Sequence, residues 1–226
     1  MPDLSCAAIV VVALMIIFAI CAWIEKRAYR SEALVQGIVV NVLTDYADAG
    51  EAIDAMRELD LRMLRILAHL RRKYMIGAAD EELAGRREAL SGPGAEDKRR
   101  IVENVVRRFN YEELYENRPP PDGIDTAYSL MKGAKIKVCL RDRDRQRQFI
   151  DPNLIVFVMI HELAHIGAYD VWGHPPRFWR IFKFLLREAV ESGAYKPVDF
   201  GRHGPANYCG LTLASNPLFD PLIENI

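Results

Sequence analysis

Apolar residues recur along this chain in several distinct patterns, and each predicts a different element. From Leu4 to Ile24 twenty-one residues pass without a charge, which at about 1.5 Å per residue is about 30 Å of helix, the hydrocarbon thickness of a bilayer. Asp3 stands where a cleaved signal peptide would want a basic segment, and Glu25, Lys26, Arg27 and Arg30 follow the run. The expectation is an uncleaved anchor over residues 4–24, with Trp23 at the interface. By the positive-inside bias the rest of the chain then lies on the cytoplasmic side, or faces the interior of a virion membrane.

From Ser31 to about Tyr74 the chain is expected to be helical. Ile53, Met56, Leu59, Met63, Ile66 and Leu70 recur at steps of three and four, one apolar stripe that offers a packing surface. His69 lies on this helix as a structural histidine. A polar stretch over 79–90 and the breakers Ser91-Gly92-Pro93-Gly94 predict a loop, and a short helix covers Glu96 to Phe109. The period then shortens. Thr126–Met131 and Lys135–Leu140 are short and rich in apolar or β-branched residues, and Lys132-Gly133-Ala134 supplies a turn, so they predict a β-hairpin. Its second strand is expected above the site with an open edge. Asp151-Pro152 opens a helix running to about Ala168 that is apolar nearly all round and therefore buried. The last helix runs from Pro176 to about Ser192, with Gly193 ending it. The fold class is α+β, organised as an anchor over 1–30, a helical region over 31–110 and the chemistry-bearing domain over 111–226.

Charge narrows the partners. Lys plus Arg number 30 against 31 for Asp plus Glu, so no global field draws the protein to nucleic acid, which is not an expected partner. Arg141, Arg143, Arg145 and Arg147 alternate with Asp142, Asp144 and Gln, a pattern of a solvated loop; read instead as a binding strip, it would meet acidic partners. The stripe over 31–74 offers a docking face for virion or membrane partners. Cys139 and Cys209 are the cysteines outside the apolar run; two buried thiols in a reducing compartment are the expectation, with pairing to each other or assistance to a metal as the alternatives.

The buried helix contains His161-Glu162-Leu163-Ala164-His165. Residues four apart on a helix differ by about 40° in direction, so the two imidazoles can serve one ion, while Glu162, about 100° round, stays outside the ligand set as a general base. Burying two imidazoles and a carboxylate in one apolar turn would be unfavourable without a metal. A catalytic zinc keeps three protein ligands and an open position. His174, flanked by Gly173 and Pro175-Pro176, is the expected third; Glu188, Glu191, Asp170 and His203 are the alternatives. Tyr208 and Tyr169 are phenols able to donate to an oxyanion, and the sequence does not choose between them.

The succession His161-Glu162-Leu163-Ala164-His165, Gly173-His174 and Phe178-Trp179 resembles the H-E-L-x-H, G-H, F-W order of WLM and SprT-like zinc metallopeptidases. Thr126-Ala127-Tyr128, Lys132-Gly133, Val138-Cys139-Leu140-Arg141, Phe182-Lys183-Phe184-Leu185-Leu186 and Tyr208-Cys209-Gly210 are similar, more closely, to WLM-type metallopeptidases of large DNA viruses of eukaryotes. The resemblance implies a zincin-like domain of small β-sheet and active-site helix, a Zn2+ cofactor, protein or peptide substrates, and His174 as third ligand. The eight residues between His165 and His174, with no methionine after Met159, depart from the metzincin pattern. A membrane-anchored zinc metallopeptidase is the reading that follows; a structural membrane or virion protein with a non-catalytic zinc site is the other.

Overall fold

The run Val39-Val40-Asn41-Val42-Leu43 is β-branched and almost wholly apolar, and it makes a strand buried along nearly its whole length. In the computed structural model, which describes residues 4–34, 38–75, 94–109, 113–118, 127–130, 135–142 and 148–226, this strand is β2 (Val39–Leu43). It pairs antiparallel with β1 (Tyr29–Ala33) and parallel with β3 (Glu113–Glu116). Beyond β3 come β5 (Lys135–Val138), parallel to it, and β4 (Ala127–Leu130), antiparallel to β5, giving the order β1-β2-β3-β5-β4.

The predicted hairpin is therefore present, in the register Ala127↔Val138 to Leu130↔Lys135, while its turn lies outside the described residues. Its second strand has no open edge, because β3 and β4 occupy both sides of β5; β4 is the terminal strand. The helix expected from Ser31 starts only at Ala49, because residues 29–33 and 39–43 join the sheet instead.

Four helices build the core with this sheet. On α2 (Ala49–Tyr74) the predicted stripe is buried, from Ile53 and Met56 to Leu70. Next come α3 (Ala95–Arg108), α4 (Pro152–Gly167) and α5 (Pro176–Glu191). Helix α4 packs against α2, α3 and α5 and also meets β4, which explains why its sequence is apolar all round. Its start is set as the sequence predicts: Asp151 accepts a hydrogen bond from the Asn153 N–H at 2.8 Å, and Pro152 occupies the first turn. Gly193 follows α5 with φ +72°, in the left-handed region that favours glycine. The closing segment, for which the sequence predicts no element, contains α6 (Phe200–His203) and a hairpin of β6 (Ala206–Tyr208) and β7 (Leu211–Leu213).

Two charge clusters hold these layers in register. Glu116, at the end of β3, accepts from the Leu43 N–H at 2.8 Å and from Arg141 Nε at 2.7 Å, and Arg141 reaches Asp48 at 2.5 Å. Burial pushes the Glu116 carboxyl up, and the Leu43 N–H and the Arg141 guanidinium oppose that shift. Arg141 is 2% exposed and lies over the rings of Tyr46 and Phe149, so it is a buried clamp and not part of a solvated strip; Arg143, Arg145 and Arg147 lie outside the described residues. The second cluster joins α2 to α5: Glu188 bonds His69 at 2.8 Å, Lys73 at 2.9 Å and the Tyr74 hydroxyl at 2.8 Å.

Two expectations are corrected. Cys139 and Cys209 are not thiols but form a disulfide, which ties the end of β5 to the β6–β7 hairpin. The single-pass anchor, and with it the cytoplasmic placement of the remaining chain, is overturned: among the described residues no helix is long and apolar enough to cross a membrane. Helix α1 (Leu4–Arg27) precedes β1.

Candidate metal centre

Helical spacing brings the first two imidazoles together. His161 and His165 leave α4 one turn apart, and their Nε2 atoms stand 3.2 Å from each other. The chain then turns back through residues 168–175. Ala168 N–H closes α4 on the Ala164 carbonyl, Val171 N–H bonds the Ala168 carbonyl, and Asp170 pairs with Arg177 at 2.6 Å across the loop. Gly173 takes φ +69°, and the loop delivers His174 Nε2 to 3.2 Å from both other Nε2 atoms.

The donor set fits a tetrahedral zinc. Ligand nitrogens about 2.0–2.1 Å from one ion would lie about 3.3 Å apart at tetrahedral angles, and the three observed separations are 3.2 Å. Burial, reinforced by the neighbouring imidazoles, pushes His161 down to about 3, and burial with His174 pushes His165 down to about 4. Both rings are thus neutral at pH 7, with lone pairs free for coordination. Among the described residues this cluster supplies three donors, His161, His165 and His174.

Aromatic packing fixes the rings. Phe178, fully buried on the first turn of α5, lies 5.0, 4.5 and 4.6 Å from the ring centroids of His161, His165 and His174. Phe182 touches His161 and Trp179 touches His174, at 5.2 and 5.7 Å. In the sequence Phe178 reads as one apolar position on α5; its place beneath all three histidines depends on the return of the loop.

Glu162 shares the metal-site turn of α4 and is mostly buried. Tyr208 forms part of its surroundings: it is fully buried, and burial, backed by the nearby Glu162 carboxylate, pushes its hydroxyl up despite a hydrogen bond from the Cys139 N–H at 3.1 Å. Tyr208 is therefore a wall residue and not an exposed donor. Tyr169 is 40% exposed, with the Arg108 guanidinium 3.4 Å over its ring.

The alternative ligands are engaged elsewhere. Glu188 and Glu191 form a second cluster with His69 whose carboxylates are met by the Lys73 ammonium at 2.9 and 2.6 Å, so a cationic side chain already stands there. Asp170 pairs with Arg177, which holds its carboxyl below the usual range. His203 turns its Nδ1 to the Asp199 carbonyl at 3.0 Å.

Comparison with known proteins bears on the same stretch. The chain is similar to the uncharacterized protein R325 of Acanthamoeba polyphaga mimivirus, 38% identical over 112 residues that make 50% of this chain and 54% of that protein. It is similar to the uncharacterized protein 042R of Invertebrate iridescent virus 3, 38% identical over 108 residues, 48% of this chain and 60% of that one. The chain thus spans little more than half the length of these curated relatives. Among solved structures, Wss1 from Saccharomyces cerevisiae matches with a TM-score of 0.33 and 22% identity, covering 50% of this chain and 87% of that one. The WLM domain model matches residues 99–211, half of the chain, from within α3 to the first residue of β7, and the chain belongs to the WLM domain family.

Proposed function

We propose that this chain is a zinc-dependent peptidase in which His161, His165 and His174 hold the metal and Glu162 is the general base. The single observation that carries the reading is the convergence of three imidazole nitrogens at 3.2 Å from one another. Membership of the WLM family, a metallopeptidase family, supports it. A structural zinc site is closed by four protein ligands, whereas three leave a position for water and substrate, and three is the number gathered here among the described residues.

Zinc bound there supplies Lewis acidity, polarising a scissile carbonyl and lowering the pKa of water toward about 7. The chain's own residues do the rest. Glu162, one residue beyond His161 and about 100° round the helix, takes the proton of the attacking water and passes it to the departing amine. Phe178 keeps the imidazoles oriented while the peptide bond is cleaved. The terminal strand β4, which meets α4, has one side without a strand partner among the described residues and offers it to an extended substrate as one more strand. Residues 111–226 carry this apparatus, and β1, β2 and α2 complete the core beneath it.

The test is paired. The purified full chain loaded with zinc should cleave an unfolded protein such as β-casein, and Glu162→Gln should keep its zinc while losing at least about a hundredfold in rate. Retained cleavage by that variant would refute the assigned base, and His174→Ala with full zinc content would remove His174 from the ligand set.

A further inference from the structure

Cysteine is a poor residue for the place that Cys209 occupies. Strands β6 and β7 pair in the register Tyr208↔Leu211, which leaves Cys209-Gly210 as a two-residue turn, and both turn residues have positive φ, +55° and +90°. Hairpin turns with positive φ at both central positions favour Asn, Asp and Gly, and other side chains are disfavoured there. Cys209 is the one non-glycine residue with positive φ among the described residues, and what distinguishes it is the bond to Cys139. Little else fastens the hairpin. Its two strands pack chiefly on each other, and Leu211 and Thr212 are exposed. Apart from Cys209 itself, Tyr208 is the hairpin side chain sunk fully into the core, where its oxygen accepts from the Cys139 N–H at 3.1 Å. The covalent bond and the hydrogen bond thus converge on one residue just past β5. The phenol they fix is close enough to Glu162 for that carboxylate to add to the upward push that burial gives the hydroxyl.

We propose that the Cys139–Cys209 bond is a reversible redox latch: closed, it holds Tyr208 in the wall beside Glu162, and opened by a thiol such as glutathione it releases the hairpin and slows hydrolysis at the metal centre. Opening is thiol–disulfide exchange. One glutathione thiolate attacks a sulfur of the pair, forming a mixed disulfide and expelling the other cysteine as a thiolate. A second glutathione thiolate attacks the mixed disulfide, leaves as glutathione disulfide and frees the remaining cysteine; the two protons lost by the glutathione thiols end on the cysteines, and two electrons have passed to the pair. Glutathione disulfide runs the same steps backwards. Both sulfurs are buried, so exchange follows a local opening of the hairpin, the kind of excursion open to an element with few contacts outside itself. Once cut, Cys209 has no tether to hold it in the left-handed region, the turn relaxes, and water reaches the wall that orients the base. The effect on rate rests on the peptidase reading; the latch itself does not.

The test equilibrates the zinc-loaded full chain in glutathione buffers from oxidising to strongly reducing, below its unfolding transition. Reduction should expose the two cysteines to a chromogenic thiol reagent and speed hydrogen exchange over residues 206–213 and at the Cys139 amide at least about tenfold, while α4 and α5 keep their protection. Cleavage of β-casein should fall about tenfold with zinc still bound, and glutathione disulfide should restore it. Cys139→Ser combined with Cys209→Ser should show fast hairpin exchange and slow cleavage in every buffer, which separates the latch from any direct action of glutathione on zinc. Cys209→Gly, which suits the turn, serves if the double variant does not fold. A bond that no glutathione buffer opens in the folded chain overturns the proposal, as does unchanged exchange over 206–213 once it is open. Unchanged cleavage by a parent chain that does cleave casein overturns it too, while the peptidase reading stands. If the parent cleaves casein in neither state yet its hairpin loosens reversibly on reduction, the latch stands and the peptidase reading fails.

Discussion

The ring of Phe178 packs 4.5 Å from that of His165, and the same face of α5 that supplies it also supports the other two imidazoles. Groups that orient metal ligands typically change affinity ten- to a hundredfold when altered. Phe178→Leu keeps an apolar side chain but removes the flat surface against which three rings rest. The expected outcome is a zinc dissociation constant raised about tenfold or more, measured by competition with a chromogenic chelator. A destabilisation of about 1–2 kcal/mol in the metal-free protein should accompany it. Unchanged affinity would show that the loop and helix backbones suffice to aim the ligands.

The His69–Glu188–Lys73 cluster makes a separate prediction. Glu188 is buried and accepts from His69, Lys73 and Tyr74, so Glu188→Ala removes an acceptor shared by three polar groups between α2 and α5. Lys73 keeps Glu191 at 2.6 Å and some solvent, which places the cost near the low end for breaking a buried pair, about 3 kcal/mol. Urea unfolding should show that loss, while bound zinc stays at one per chain because the proposed metal ligands lie elsewhere, at His161, His165 and His174. Loss of zinc without loss of stability would reverse the assignment.

These two clusters also show what the residues reveal in sequence and what they hide. His161 and His165 were legible because both sit on one helix whose start is written in Asp151-Pro152, where a spacing of four fixes direction. His174 needed a loop to fold back, and its neighbours Gly173 and Pro175 only permitted that. The strands at 29–33 and 39–43 were hidden because Ile38 to Leu43 is apolar but for Asn41 and shows no period, compatible with a buried strand or a buried helix segment. Arg141 was hidden because its partners, Glu116 and Asp48, come from distant elements, so that local sequence showed only alternating charge. The anchor over 4–24 was inferred from length and apolarity, and no described helix meets both conditions.

Cys139 and Cys209 are 70 residues apart, and the sequence left their pairing as an alternative to two thiols because the contact that joins them comes from distant elements. Closing a loop of that length removes chain entropy worth about 4 kcal/mol from the unfolded state. Cys209→Ser should lower unfolding stability by up to about that amount, and adding dithiothreitol should reduce the stability of the parent chain without affecting the variant. Because Cys139 N–H also bonds Tyr208 in the wall beside Glu162, the variant should lose activity at temperatures where it remains folded. A parent chain indifferent to dithiothreitol through full denaturation and refolding would remove the bridge from the stability of the fold.

Three buried tyrosines set an alkaline limit. Burial pushes Tyr195 up to about 12, and Tyr74 and Tyr208 are raised still further, each with burial as the largest cause. In the unfolded chain the same phenols ionise near pH 10. Between these values the unfolded state sheds protons that the folded state retains, so the stability held by the neutral phenols is complete below about pH 10 and is lost as pH rises through about 12. Tyr195 donates no charge in the fold, and its oxygen accepts from Asn216 at 3.0 Å. The expected outcome is that tyrosinate absorbance at 295 nm from these residues rises together with the loss of helical circular dichroism, and that Tyr195→Phe moves the alkaline midpoint upward. Tyrosinate formation completed well before the helices melt would mean that the phenols reach water in the native state and that their burial does not govern the transition.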